Sequence, residues 1–292
     1  MVSAAFFRRL AFTTALFAYL QIALGGLVRV TGSGLGCPDW PLCHGRPYPA
    51  ADIHSIIEYS HRTVGTITGV LVIATVALAW IVFVRVRPAV PLLATSSLVA
   101  IAAEGALGGV VVVHELAPWL VLVHLGLAML ILGALLATAV MSLPAAPGQA
   151  NRFAPLAAAA TYVLLLTGSA VVATGADDRC RSWPLCGGGF DAFSFLHRGA
   201  VLVIGALIVY VLIQALRSNA SRVVAVATLF VLALQVAVGA GAAVTDAAFF
   251  NGLHVAIATL VWAGMLAIAL LNVPRTDRVP ASARLAIDKR PA

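Results

Sequence analysis

The chain has 292 residues, of which 62% are hydrophobic and only 10% charged. That balance excludes an ordinary soluble domain and fits a polytopic membrane protein. The net charge of +7 does not signal nucleic acid, because the basic residues are spread by topology rather than gathered in one patch.

Eight apolar stretches of bilayer-spanning length are predicted, at roughly 9–28, 60–84, 91–113, 117–141, 154–174, 195–216, 223–244 and 250–272. The first follows Arg8-Arg9 and resembles a signal peptide. No small-residue cleavage site ends it and Arg29 comes directly after, so it reads as a retained helix. The glycines of Gly25-Gly26 to Gly34 suit close helix packing and a sharp exit. The long loop 30–57 carries Cys37-x5-Cys43, ending in Trp40-Pro41-Leu42-Cys43, and is followed by Glu58 and His61-Arg62. Glu104 lies deep in the third stretch and His124 near the start of the fourth.

After a Pro-, Ala- and Gly-rich break the order repeats. Loop 175–194 carries Cys180-x5-Cys186, ending in Trp183-Pro184-Leu185-Cys186, and His197-Arg198 follow. Gln235 takes the place of Glu104, and His254 that of His124. The predicted organisation is an N-terminal unit 1–141, a linker 142–152, a C-terminal unit 153–274 and a polar, basic tail 275–292. With four spans per unit, both copies enter the membrane in the same direction. The expected fold class is an all-α integral membrane protein, eight transmembrane helices as two parallel four-helix-bundle repeats.

Arg8, Arg9, Arg85, Arg87, Arg152, Arg217, Arg222 and the basic tail fall on one side of this plan. By the positive-inside rule that side is cytoplasmic and holds both termini. The cysteine loops then face outward, where disulfides persist. Each cysteine pair shares one loop, which favours Cys37–Cys43 and Cys180–Cys186 among the three connectivities. Such bonds would brace a lid over each half or exchange reducing equivalents.

His61, His124, His197 and His254 all fall within roughly 10 Å of the outer boundary, given a rise of about 1.5 Å per residue. Each half therefore has two intramembrane histidines at similar depth on different helices, which suits a flat, iron-bearing ligand held between them. The residues four further on are Gly65, Ala128, Val201 and Ala258, small in three places and able to leave room for a macrocycle. The alternative is an interhelical hydrogen bond at each histidine. Zinc would find an incomplete ligand set. His44, His54 and His114 are read as solvated loop residues.

Glu58 breaks the symmetry: it shares a helix face with His61, whereas Ser194 stands three residues before His197. The first half is thus expected to perform chemistry and the second to hold a cofactor. Glu104 is a candidate proton relay or a polar pin between helices. Arg62 and Arg198 are candidates for contacting ligand carboxylates such as haem propionates, or for snorkelling to the interface.

The stretch 25–45 (Gly-Gly-Leu-Val-Arg-Val-Thr-Gly-Ser-Gly-Leu-Gly-Cys-Pro-Asp-Trp-Pro-Leu-Cys-His-Gly) with Glu58-Tyr59-Ser60-His61-Arg62 resembles the bacterial haem A synthase family. The resemblance runs through both repeats. It implies oxidation of a methyl group of haem O to the formyl group of haem A, for cytochrome oxidase assembly in the bacterial inner membrane. It implies His61 and His124 as ligands of the haem O substrate, and His197 and His254 as ligands of a haem b cofactor. Glu58 matches the family's catalytic glutamate, and Cys37 with Cys43 its first-loop pair. Glu104 departs from the pattern, where a Gln is commoner.

The implied partners are membrane lipid, a haem O synthase and an electron donor, with no nucleic acid. The main rival is an electron-transfer cytochrome b with two bis-histidine haems, against which the asymmetric Glu58 argues. A transporter would show broken helices and midplane polar groups instead.

Overall fold

A computed structural model describes residues 3–144, 151–176, 180, 182–186, 190–245 and 247–273. Most of the linker and the whole of the predicted tail lie outside the described residues. Among the described residues eight helices are long and apolar enough to cross a membrane. They are α1 Ala4–Val30, α2 Ile53–Phe83, α3 Ala89–Val113, α4 Pro118–Met141, α5 Ala154–Ala173, α6 Ala192–Leu216, α7 Arg222–Val244 and α8 Ala248–Leu271.

Local chemistry sets their ends. Ser3 caps α1 by accepting from Phe6 N at 3.1 Å, so this helix starts before the apolar run and includes Arg8 and Arg9. Asp52 caps α2 by accepting from Ser55 N, and Asp191 caps α6 by accepting from Ser194 N, both at 2.9 Å. These caps start α2 and α6 ahead of the predicted apolar stretches; in α2 the first two turns carry His54, Ser55 and Glu58. At the opposite end of the bundle Arg8 Nε and Arg87 Nη1 donate to the Ser142 carbonyl at 3.0 and 3.1 Å. They satisfy acceptors left over where α4 stops.

In the first half α1 packs on α2, α2 on α3, α3 on α4 and α4 back on α1. The second half closes in the same way through α5, α6, α7 and α8. The halves meet through α1 on α8, α4 on α5, and α4 on α8. The first two of these contacts exchange under a two-fold operation and the third maps onto itself, as two parallel repeats require. Glycines let the central helices approach. A Cβ on Gly26 would lie 3.6 Å from the Gly252 carbonyl, and one on Gly133 would lie 2.8 Å from the Trp262 ring. Trp262 Nε1 then donates across to the Ala158 carbonyl at 3.1 Å.

The buried apolar clusters are not centred on the bundles. Phe7, Ala11, Phe83, Val90 and Ala139 pack the Arg-rich end of the first half. Ala154, Ile208, Leu212, Met265 and Ile268 do the same in the second. A third cluster, with Ile22, Val72, Met129, Leu135 and Trp262, joins the two halves at mid-depth. None of the three contains a histidine, although Leu125 and Ala128 beside His124 pack against the mid-depth cluster.

Candidate functional site

The four intramembrane histidines gather at the end away from those clusters. His61 interacts electrostatically with His124, and His197 with His254, so each half brings its two rings near one another. All four are half-buried.

Each ring is also engaged by the helix that precedes its own. Gln21 Nε2 on α1 lies 3.2 Å from His61 Nε2. Glu104 Oε1 on α3 lies 3.1 Å from His124 Nδ1, at ion-pair distance but off the line of a hydrogen bond. Thr167 Oγ1 on α5 lies 2.9 Å from His197 Nδ1. Gln235 Nε2 on α7 lies 3.0 Å from His254 Nδ1 and 3.3 Å from Nε2. The Glu104–Gln235 correspondence is visible in the sequence; the roles of Gln21 and Thr167 are not. The small residue at 65 also has a different use from the one expected, since a Cβ there would meet Gln21 Nε2 at 3.0 Å. Gly65 makes room for the side chain that holds His61.

The donor chemistry fits a haem-type ligand held pairwise. One nitrogen of His61 faces Gln21, while Nδ1 is buried with no hydrogen-bond partner among the described residues. Glu104 Oε2 and Gln235 Oε1 are likewise buried and unpartnered there. Orphaned polar atoms inside a membrane are costly and mark functional ground. Among the described residues no three His, Cys, Asp or Glu side chains converge as a metal site.

The loops above the histidines are built on one plan. Cys37 is disulfide-bonded to Cys43 and Cys180 to Cys186. Arg62 donates to the carbonyls of Cys37, Asp39 and Leu42 at 2.7, 2.8 and 2.6 Å. Arg198 donates to those of Cys180, Ser182 and Pro184 at 3.2, 2.7 and 3.0 Å. Both arginines thus clamp a disulfide loop onto the helix that carries the histidine. Trp40 from the first loop rests on α3, where a Cβ on Gly109 would meet its ring at 2.9 Å. The residue equivalent to Gly109 is Ala240.

Glu58 belongs to this clamp. It is 3% exposed, its Oε2 accepts from Cys37 N at 2.7 Å, and its Oε1 pairs with Arg62 Nη2 at 2.5 Å. All four terminal N–H groups of Arg62 therefore have acceptors within the protein. The helix caps reveal how Glu58 arose in one half alone. The spacing is Asp52-x8-His61 in α2 and Asp191-x5-His197 in α6. Ser55 and Ser194 hold the same place after their caps, and each hydroxyl donates to a loop carbonyl, of Gly36 and Ala176 respectively. The first half thus has almost one additional helical turn between cap and histidine, and Glu58 sits in it.

His44, His54 and His114 are exposed, with ring nitrogens near Gly36 O, Ser33 Oγ and Val110 O. They stay apart from the paired rings.

Fold and site together define an integral membrane protein of two four-helix repeats, each carrying a histidine pair beneath a disulfide-braced loop. The chain matches the sequence model of the COX15-CtaA family, described as cytochrome oxidase assembly protein, over residues 8–56 and 51–266. It is 31% identical over 220 residues to a haem A synthase of Bacillus licheniformis, covering 68% of this chain and 72% of the relative. It is 31% identical over 241 residues to one of Shouchella clausii, covering 75% and 79%. It is 30% identical over 294 residues to one of Geobacillus kaustophilus, covering 91% of each. The chain belongs to the COX15-CtaA family of cytochrome oxidase assembly proteins.

Proposed function

We propose that the protein is a haem A synthase of the bacterial inner membrane, oxidising a methyl group of haem O to a formyl group. In this reading the cysteine loops face outward and the termini are cytoplasmic. His61 and His124 hold the haem O substrate, and His197 and His254 hold haem b. The observation that carries the reading is the placement of charge on an otherwise repeated scaffold. Among the described residues the first half sets Glu104 against the His124 ring and Glu58 one turn before His61 on the same helix. The second half has Gln235 in the place of Glu104 and lacks the helical turn that bears Glu58. An oxidation that moves protons needs acid–base groups beside the reacting carbon, whereas a site that only passes electrons does not.

Haem b, when bound, supplies one-electron transfer. The chain's own residues supply the rest. Two oxygenations, each placing one atom of dioxygen on the carbon and leaving the other as water with two electrons from the donor and two protons, convert the methyl to a geminal diol, which loses water to give the formyl group. Glu58 relays those protons, and its carboxylate steadies developing positive charge. Arg62 and the Cys37 amide keep that carboxyl in one orientation and tie it to the loop that screens it from water. Glu104 orients His124 and offers a second proton site. Arg198 has three loop acceptors for five N–H donors and is better suited than Arg62 to an added propionate contact. Haem O synthase and an electron donor are the partners this chemistry implies.

The test is to purify the protein from a host that makes haem O and to separate its extracted haems, for the wild type and His197→Ala. Haem b with haem O and haem A in the wild type, and haem b depleted in the variant, is the expected result. Haem b alone, at two per chain, would make the protein an electron-transfer cytochrome and overturn the proposal.

A further inference from the structure

Every one of the four rings touches a glycine on the preceding helix. An ideal Cβ built on Gly25, Gly108, Gly168 or Gly239 would find Cε1 of His61, His124, His197 or His254 as its nearest neighbour, at 3.2, 3.3, 3.0 and 2.8 Å. Three of these glycines lie one turn beyond the polar residue on the same ring, as Gln21/Gly25, Glu104/Gly108 and Gln235/Gly239. In the fourth, Thr167 directly precedes Gly168. Other glycines at helix contacts face different partners, such as Trp40 at Gly109 and Trp262 at Gly133. The match of four rings to four glycines therefore does not follow from a general richness in small residues.

We propose that Gly25, Gly108, Gly168 and Gly239 are positioning residues that seat the histidine rings, with the second-half seats set tighter than the first. The proposal rests on the ligand pairs of the preceding section. Cε1 lies between the two ring nitrogens, so bare backbone against Cε1 fixes where both nitrogens point. A half-turn about χ2 would exchange Cε1 with Nε2 and Nδ1 with Cδ2, taking the nitrogen away from its polar partner. Glycine and polar side chain together select one ring orientation and leave the ring nitrogen farther from that polar partner for a ligand. Real Cβ contacts closer than 3.0 Å essentially do not occur, so alanine at 239 must displace its ring. At 25 and 108 a shift of a few tenths of an ångström suffices. A tight seat suits a resident cofactor, and a more tolerant one suits a substrate that enters as haem O and leaves as haem A.

The experiment uses full-length protein purified with its haems. It compares Gly239→Ala, Gly168→Ala and Gly25→Ala with Gly205→Ala, whose Cβ would meet nothing within 4 Å. Haem b per chain and the low-spin electron paramagnetic resonance signal are read on the monodisperse fraction, which excludes unfolded protein. Gly239→Ala is expected to displace the haem b signal or to lose haem b several-fold. Gly168→Ala should do so to a lesser degree, while Gly25→Ala and Gly205→Ala keep the wild-type haem b signal. A monodisperse Gly239→Ala protein with wild-type haem b content and signal overturns the proposal, as does an equal loss in Gly205→Ala. If Gly239→Ala yields no monodisperse fraction, Gly168→Ala decides by the same two outcomes. His254→Ala separates the two layers. If it retains an unchanged haem b signal, the ligand assignment itself fails. If it loses haem b while Gly239→Ala does not, only the seat fails.

Discussion

Arg62 and Arg198 occupy equivalent places and perform the same act, gathering carbonyls of a disulfide loop onto a helix. Arg62 also holds a buried carboxylate, which in turn holds the loop through the Cys37 amide. Arg198 pairs with no carboxylate among the described residues. In the proposed reading the first half has thus turned a structural clamp into a support for a reactive group. The change needed was small: an additional helical turn bearing Glu58, and a carboxyl for an amide at position 104. A repeated scaffold was specialised by moving charge, with the histidine seats left in place.

The comparison breaks most sharply at the histidines. His197→Ala or His254→Ala is expected to abolish haem b binding, and with it all conversion of haem O. His61→Ala or His124→Ala should abolish conversion while haem b stays at the wild-type level. Extracted-haem chromatography reads both, and equal loss of haem b from the two halves would end the division of labour.

Glu58→Gln comes next. Its amide oxygen can still accept from Cys37, so the loop keeps its shape while the proton acceptor is lost. Conversion should fall by about 10²-fold or more, with the haem b spectrum unchanged. Wild-type conversion would remove Glu58 from the chemistry.

The arginines sharpen the contrast in stability. Arg62→Ala strands the Glu58 charge in a buried position, at a cost of about 3–5 kcal/mol. Arg198→Ala removes hydrogen bonds to carbonyls alone and should cost about 1–3 kcal/mol. Thermal unfolding in one detergent compares them. In the double variant Arg62→Ala/Glu58→Gln, much of the Arg62 loss should be recovered, because no charge is left unpaired.

The sequence announced the eight spans, the repeat and the four rings, because hydropathy and a rare residue type in apolar surroundings are strong signals. It misplaced the start of α2 for a physical reason. His54, Ser55 and Glu58 lower the hydropathy of the first two turns, yet the Asp52 cap and the loop contacts make them helical. Aligning the halves on His61 and His197 paired Glu58 with Ser194, whereas the caps pair Ser194 with Ser55. The seats were out of reach. Gly25 and Gly168 look like any glycine in helices rich in small residues, and only the pairing of α1 with α2 and of α5 with α6 brings the rings onto them. For Arg62 and Arg198 the sequence offers ligand carboxylates or the membrane interface as partners, since it does not show that the loop carbonyls turn back towards them.

The smallest expected effect concerns a charge at one loop position, Asp39, whose equivalent is Ser182. Asp39 accepts from Gly45 N at 2.7 Å and from His44 N at 2.6 Å. Left-handed backbone at His44 (φ 53°) and Gly45 (φ 73°) aims both amides at it. These bonds, that of Gly45 foremost, hold the Asp39 carboxyl below the usual carboxylate range. A depressed folded-state value means that the contribution is complete above the ordinary aspartate pKa, near 3.9. It disappears as the pH falls through the lower folded value. The first loop should therefore loosen on acidification below about pH 4, and Trp40 fluorescence should report it. The equivalent Ser182 has no charge to lose, and its hydroxyl bonds the Leu185 carbonyl. The capping aspartates 52 and 191 are common to both loops and cancel in the comparison. Single-tryptophan variants retaining Trp40 or Trp183 separate the two signals. Asp39→Asn should reproduce the acid response of Trp40 at neutral pH, because its amide nitrogen cannot accept the second N–H. Equal responses from Trp40 and Trp183 would mean that the loops are held alike and that Asp39 adds nothing to the first.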